Sequence, residues 1–329
     1  MSRRSSRFRT ALLAGTAAAG AYAGVAAASW WNQRQLPPSV TLPPALNWDS
    51  RSLETRWGRT HCYVRPGTGR PIVLLHSVNA TASSAEMKPI AHHLAETTDR
   101  PLYAVDWLGF GKSDRLDLTY TPRVFARQLY TVLTEEIDTP ADLIALSLGC
   151  EYAAWVGLQA APCVRRLVLV SPTGLTAPRR LSALKRLALA SASELGAFEL
   201  LFYRLTRASS LHRFYSRQVF LGDVPQALVD YAATTAHAKG AHYAPRYFLE
   251  GRLFVDEVAD QIYARLYRPT LLLTPATPGP TIQSFDRLPP LLDKNSRFVT
   301  HRSLPGGLMP HWERPAPFFE AVDAFLAGN

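Results

Sequence analysis

Four short apolar runs, PIVLLHS (71–77), PLYAVDW (101–107), ADLIALS (141–147) and VRRLVLVSP (164–172), alternate with amphipathic stretches of helical length. A strand that is apolar at nearly every position must be covered on both faces, so this alternation calls for a mostly parallel sheet with helices on both sides. The same pattern returns in PTLLLTP (269–275), RFVTHRSL (297–304) and a terminal helix over 314–327, with a helix near 283–293 between the two strands. Ahead of it, SLETRWGRTHCYVRPG reads as a two-strand hairpin turning at Gly58. The expectation is an α/β fold with a sheet of about eight strands. From about residue 175 to about 265 the alternation stops and the pattern is mostly helical, which reads as a cap inserted over one edge of the sheet.

The chain opens differently. Residues 1–35 combine a basic N-terminus with an Ala/Gly-rich run, ALLAGTAAAGAYAGVAAASWW. An uncharged run of about 20 residues is the length that spans hydrocarbon. Three readings stand side by side: a retained anchor, with Trp30 and Trp31 at an interface and the arginines on the cytoplasmic side; a cleaved signal peptide; and an alanine-rich helix that does neither. The anchor reading implies membrane association through residues 10–31, with the remaining domain on the extracytoplasmic side. The signal-peptide reading implies an exported soluble protein. Residues 36–50, with two Pro-Pro pairs, read as a stiff linker, and residues 51–329 as the folded domain.

The formal charge of +10 raises the question of nucleic acid. Half of it comes from Arg3, Arg4, Arg7, Arg9 and Arg34, in a segment with no acidic residue. The remainder is dispersed, without the arginine-aromatic interleaving that stacks bases, so no nucleic-acid partner is expected. Cys62, Cys150 and Cys163 show neither metal-ligand spacing nor a disulfide framework. No metal and no cofactor is implied. In GFGKSD the glycine that a phosphate loop requires five residues before Gly111 is replaced by Asp106, so that string is a turn and not a nucleotide site.

The chemistry concentrates in LIALSLGCEYAAW. Strand, then Ala145-Leu146-Ser147-Leu148-Gly149, then helix is the pattern of a nucleophile elbow. Small residues two before and two after Ser147 allow strand and helix to pack around a strained turn that lifts the hydroxyl to the sheet edge. The helix starting there aims the Leu148 N–H at a developing oxyanion.

Together with His76-Ser77 after the first apolar strand, DWLGFGKSDR (106–115) and MPHWERPAPF (309–318), this elbow resembles the α/β-hydrolase superfamily, in its capped lipase, esterase and epoxide-hydrolase-like branch. The resemblance runs from about residue 52 to 327. It implies an α/β-hydrolase fold, an oxyanion hole built from the Val78 and Leu148 N–H groups, and a Ser-His-acid triad around Ser147. His76 reads as a buried, hydrogen-bonded histidine at a strand end.

Two triad positions depart from that pattern. In GGLMPHWERP, Leu308 stands where the resemblance places the histidine, and ATPGPT, after the strand 269–275, contains no carboxylate. The alternative acid position, PTGLT after Ser171, is also empty. A serine hydroxyl without an adjacent base is a weak nucleophile. His311, three residues on and about 5 Å away along a helical turn, is the candidate for a relocated base, with Asp286 as a non-standard acid. His301 and the cap residues His212, His237 and His242 are weaker candidates. The expected function is a serine hydrolase acting through an acyl-enzyme on an ester-like, lipophilic small molecule. The alternative is a catalytically inactive relative that binds a small apolar ligand or serves as a scaffold.

Overall fold

The computed structural model describes residues 38–176, 197–276 and 285–328, together with Gly24, Ala27, Trp30, Trp31 and Arg34. The chain divides into two compact units, one of residues 1–38 with 181–205 and the other of residues 39–180 with 206–329. The apolar run of residues 10–31 lies almost wholly outside the described residues. Among those described, no helix is long and apolar enough to cross a membrane.

The larger unit is built on eight strands: β1 (Asp49–Thr55), β2 (Gly58–Arg65), β3 (Ile72–Leu75), β4 (Leu102–Val105), β5 (Ala141–Leu146), β6 (Val164–Val170), β7 (Thr270–Pro275) and β8 (Val299–Leu304). They form one sheet in the order β1-β2-β4-β3-β5-β6-β7-β8. Only the β1–β2 and β2–β4 pairings are antiparallel. Every residue of β3, β5 and β7 is buried, including Asp142 of β5, whose carboxylate pairs with Arg100 (2.6 Å), and the two threonines of β7. Side chains alternate between faces, so Val73, Leu75, Leu143, Ala145, Leu167 and Leu169 join one core while Leu74, Ile144, Leu146, Val168 and Val170 join the other.

Helices α1 (Lys88–Thr97), α2 (Pro122–Thr131) and α3 (Gly149–Gln159) follow β3, β4 and β5. In the smaller unit, α4 (Ala197–Leu205) exposes Leu201 and Leu205. The cap region of the larger unit holds α5 (Ala208–Gln218), α6 (Gln226–Ala236), α7 (Tyr243–Leu249) and the short α8 (Val258–Gln261). Then come α9 (Leu288–Asn295), the single turn α10 (Pro310–Glu313) and α11 (Pro315–Ala327). Leu211, Tyr215 and Val229 of the cap enter one core, and Tyr247, Val258 and Ile262 the other.

Part of the proline-rich stretch read as a linker is packed. Leu42, Ala45 and Leu46 are buried, the Ala45 N–H donates to the Tyr63 hydroxyl, and the Pro43 carbonyl accepts from Tyr231. Proline forces this segment into an extended course, and an extended course lets it lie along the domain surface.

The topology locates the functional edge. From β3 the chain passes to β4 on one side and then returns to β5 on the other. In open α/β sheets the crevice beyond the carboxyl ends of strands at such a reversal is where ligands bind. Here those ends are His76-Ser77-Val78 and Ser147-Leu148.

Candidate active site

Ser147 leaves β5 with φ of 53°, in the left-handed region that side chains other than glycine rarely adopt. Its N–H donates to the Val170 carbonyl (2.9 Å), and its own carbonyl accepts the Cys150 N–H as α3 begins. Gly149 is required for closeness: a Cβ there would lie 2.5 Å from the His76 carbonyl oxygen. That contact holds the start of α3 against the end of β3. Ser147 is half-buried and its Oγ has no hydrogen-bond partner among the described residues. Ser171, at the end of β6, shares the left-handed backbone (φ 47°) and a buried Oγ without a partner, so what sets Ser147 apart is its place between β5 and the start of α3.

The turn after β3 is fixed by His76, which is fully buried. Its Nε2 accepts the Trp107 N–H (3.1 Å), so the ring proton is on Nδ1, which donates to the Ser77 carbonyl (2.6 Å). Burial pushes this imidazole down to about 4, so its 3.8 Å approach to Asp106 is not an ion pair. The Ser77 carbonyl shares its planar peptide with the Val78 N–H, which must therefore point the opposite way. The Val78 and Leu148 residues are both buried, and among the described residues neither N–H has an acceptor. Buried backbone donors are almost always paired in native proteins. The two donors stand just beyond the carboxyl ends of the neighbouring strands β3 and β5, Leu148 at the first turn of α3, where backbone N–H groups have no intrahelical acceptor.

The loop that follows β8 is arranged differently. Leu308 is half-buried, touches both cores, and donates its N–H to the Val219 carbonyl of the cap (2.7 Å). The Glu313 carboxylate accepts the N–H groups of Gly307 (2.7 Å), Leu221 (3.0 Å) and Gly222 (2.6 Å), stapling loop to cap. His311, on α10, is 1% exposed, and its Nε2–H donates to the Glu86 carbonyl (2.8 Å), which also takes the Trp312 Nε1–H (2.8 Å). Its Nδ1 is then an acceptor lone pair, buried and without a donor. Burial lowers this imidazole to about 4. No hydrogen bond joins it to Ser147.

Of the other candidates, Asp286 is exposed, and His301 pairs through Nε2 with the Thr274 hydroxyl (2.9 Å). His237 hydrogen-bonds the Ala233 carbonyl through Nδ1, His212 is exposed and His242 is half-buried. Residues 277–284, which hold the acid position after β7, lie outside the described residues. Among the described residues no group of His, Cys, Asp and Glu is arranged to hold a metal ion.

Residues 72–321 match the model of the alpha/beta hydrolase family. The chain belongs to that family. A comparison of the sequence with curated proteins finds no match. Among solved structures it is similar to the serine hydrolase CarC, involved in carbazole degradation, at 19% identity and TM-score 0.64, over 85% of this chain and 99% of that one. It is also similar to carboxylesterase CesB from Bacillus subtilis (20% identity, TM-score 0.64, 93% of this chain and 98% of that one). A third is the enol-lactonase of Burkholderia xenovorans LB400 (16%, TM-score 0.64, 84% and 100%). At these identities the likeness establishes the fold.

Against that alpha/beta hydrolase frame, two buried carboxyl groups escaped the sequence reading. Glu151, one turn after Ser147 on α3, accepts the Thr173 hydroxyl (2.5 Å) and the Val255 N–H (2.7 Å), tying α3 to the loop after β6 and to the cap. Burial raises it to about 7. Glu86, in the single turn Ser84–Met87 before α1, is likewise raised to about 7 by burial. The available signal for Glu151 is that it is the sole charged residue in the small, apolar stretch LGCEYAAWVGLQA. Glu86 carries no such signal, because one acid at a helix start reads as a solvated cap.

Proposed function

We propose that this alpha/beta hydrolase family member is a serine hydrolase that cleaves an ester-like, lipophilic small molecule through an acyl-enzyme on Ser147. The observation that carries the reading is the pair of buried, acceptorless N–H groups of Val78 and Leu148 beside a serine in the left-handed region. In the proposed reaction Ser147 Oγ attacks the carbonyl carbon, and the carbonyl oxygen takes the negative charge between the two N–H groups. The serine proton passes to a base and then to the leaving alcohol, and water hydrolyses the acyl-enzyme.

The proposed base is His311, whose Nδ1 is the acceptor lone pair that lacks a donor. Its low basicity makes it a weak one, so slow turnover is expected. The lipophilic substrate class is supported by the apolar cap sequences LGAFELLFYRL and RLFVDEVADQIYARLY. Membrane association through residues 10–31, with the hydrolase domain on the extracytoplasmic side, rests on the length and basic flank of that run.

A second reading, a binding protein without turnover, draws on Leu308. An apolar side chain that joins both cores occupies the place from which a base would act. A fluorophosphonate probe on wild type, Ser147→Ala and His311→Ala separates the readings. Labelling lost in both variants assigns the base to His311. Labelling lost only in Ser147→Ala leaves another group as the base. An unlabelled, folded wild type favours ligand binding.

A further inference from the structure

Glu86 sits where its two ends serve two different elements. Its carbonyl takes the ring N–H groups of His311 and Trp312 from α10, both at 2.8 Å. Its carboxylate, 1% exposed with the rest of the residue, turns towards the β3 turn. There Oε2 accepts the Ser77 N–H (2.9 Å), and Oε1 accepts both the Ser77 hydroxyl (3.0 Å) and the Asn79 amide (3.0 Å). Asn79 also donates to Ser77 Oγ (2.7 Å), and its own oxygen accepts the Thr81 N–H (2.7 Å). No Lys or Arg pairs with the carboxylate among the described residues; its compensation comes from these three donors.

We propose that Glu86 is a positioning residue for the oxyanion donor: by accepting from Ser77 and Asn79 its carboxylate fixes the turn that carries the Val78 N–H. This rests on the hydrolase reading above. The argument is geometric. The Val78 N–H belongs to the peptide between Ser77 and Val78, whose carbonyl is held by His76. The preceding peptide is held through the Ser77 N–H by Glu86. The preceding peptide is held at both ends, its carbonyl also accepting the Trp107 Nε1–H, and the Ser77–Val78 peptide at its carbonyl, which leaves the Val78 N–H one direction. Protonating the carboxyl turns one acceptor oxygen into a donor facing the Ser77 and Asn79 donors, and the clamp loosens.

The groups around Glu86 leave it as the group that titrates near neutrality. His311 is neutral down to about pH 4. Tyr215 of α5, whose buried hydroxyl finds no well-formed hydrogen bond, is pushed up by burial. Helix α6 presents no charge to it: Asp230 is exposed and the Tyr231 hydroxyl donates to Pro43. Lys88, two residues on, is exposed. With Glu86 raised to about 7 by burial, the clamp is complete above that pH and lost below it.

The test measures the second-order rate of fluorophosphonate labelling of Ser147 across pH 5–9, using the full-length chain. Wild type is expected to rise through a step near pH 7. Glu86→Gln, which keeps shape but places an amide donor among donors, is expected to lose that step and to label about 10-fold or more slowly above it, since one misaimed oxyanion donor costs on that order. Asn79→Ala removes a donor that favours the carboxylate, so its step moves to higher pH while the plateau rate is approached. That displacement is a readout that a purely structural role does not give, and it holds if Glu86→Gln fails to fold. A labelled wild type with the same pH profile in Asn79→Ala, or in folded Glu86→Gln, overturns the role of Glu86 alone. An unlabelled, folded wild type overturns the hydrolase reading and this one with it.

Discussion

Leu308 donates its backbone N–H to the carbonyl of Val219 at 2.7 Å, and this bond joins the Glu313 carboxylate in tying the loop after the last strand to the cap. The bond depends on the residue before it, because a Cβ on Gly307 would fall 2.0 Å from that same carbonyl oxygen. Gly307→Ala is therefore expected to cost about 1–3 kcal/mol, the range of overpacking in a well-packed site. Leu308→Ala, which empties a half-buried position touching both cores, is expected to cost about 1–2 kcal/mol, below the 2–5 typical of full burial. Urea denaturation of each variant checks both values. A neutral Gly307→Ala would mean that loop and cap are not in contact.

The strained elbow gives a second expectation. Ser147 holds φ of 53°, a conformation that costs side-chain-bearing residues on the order of 1 kcal/mol and glycine almost nothing. Ser147→Gly is expected to raise stability by up to about 1 kcal/mol while abolishing fluorophosphonate labelling. Thermal melts of wild type, Ser147→Gly and Ser147→Ala check the order, with the glycine variant the most stable. A glycine variant less stable than the alanine one would show that the left-handed backbone carries no strain.

Much of this architecture is legible in the sequence, for a physical reason. Strands buried on both faces must be apolar at nearly every position, so ADLIAL and TLLLTP declare themselves despite Asp142 and two threonines, and the elbow is legible because a small residue, a serine and a glycine must fall where a strand gives way to a helix. Leu308 is legible as an absence for the same reason. What the sequence conceals are contacts made by residues with two ordinary lives. Glu313 reads as a surface acid yet accepts three backbone N–H groups. Pro43 and Pro44 read as linker yet border residues that are buried. Glu86 reads as a helix-start acid, and only the tertiary fold shows it enclosed, whereas Glu151 is marked by standing alone as a charge in LGCEYAAWVGLQA.

Glu151 sets the pH dependence of stability apart from that of activity. Its folded value is raised from an ordinary 4.5 to about 7, so between those pH values the native state binds more protons than the unfolded chain. Stability from this group is then full below about pH 4.5 and lost as pH rises to about 7, by roughly 3 kcal/mol. His76 and His311, lowered from 6.5 to about 4, act with the opposite sign over an overlapping window, gaining stability as pH rises from about 4 to 6.5. His242 is lowered to about 4 as well, and His61 and His301 are lowered by burial, so Glu86 and Glu151 offset only part of the histidine effect and wild-type stability is expected to rise between pH 4 and 6.5. Glu151→Gln removes one opposing member. Its stability relative to wild type should improve by about 1–3 kcal/mol between pH 5 and pH 8, as measured by denaturation at both. An unchanged difference would show that Glu151 ionises at its ordinary pH.

The proposed base carries its own pH mark. A histidine lowered to about 4 is already neutral at pH 5, so catalysis by His311 gives a labelling rate that does not change near pH 6.5. Any step near 7 must come from another group, and a step near 4 is the one that His311 would impose. His311→Gln keeps a donor to the Glu86 carbonyl in place of Nε2–H but removes the imidazole acceptor. If His311 is the base, this variant is expected to lose about 100-fold or more in labelling rate, the scale of general-base catalysis, with little change in melting temperature. If its work is to hold α10 on the Ser84–Met87 turn, the same variant keeps its labelling rate, because Trp312 still donates to that carbonyl. The ratio of the two rates at pH 8 decides between the roles, since at that pH the Glu86 clamp is complete and contributes equally to both proteins.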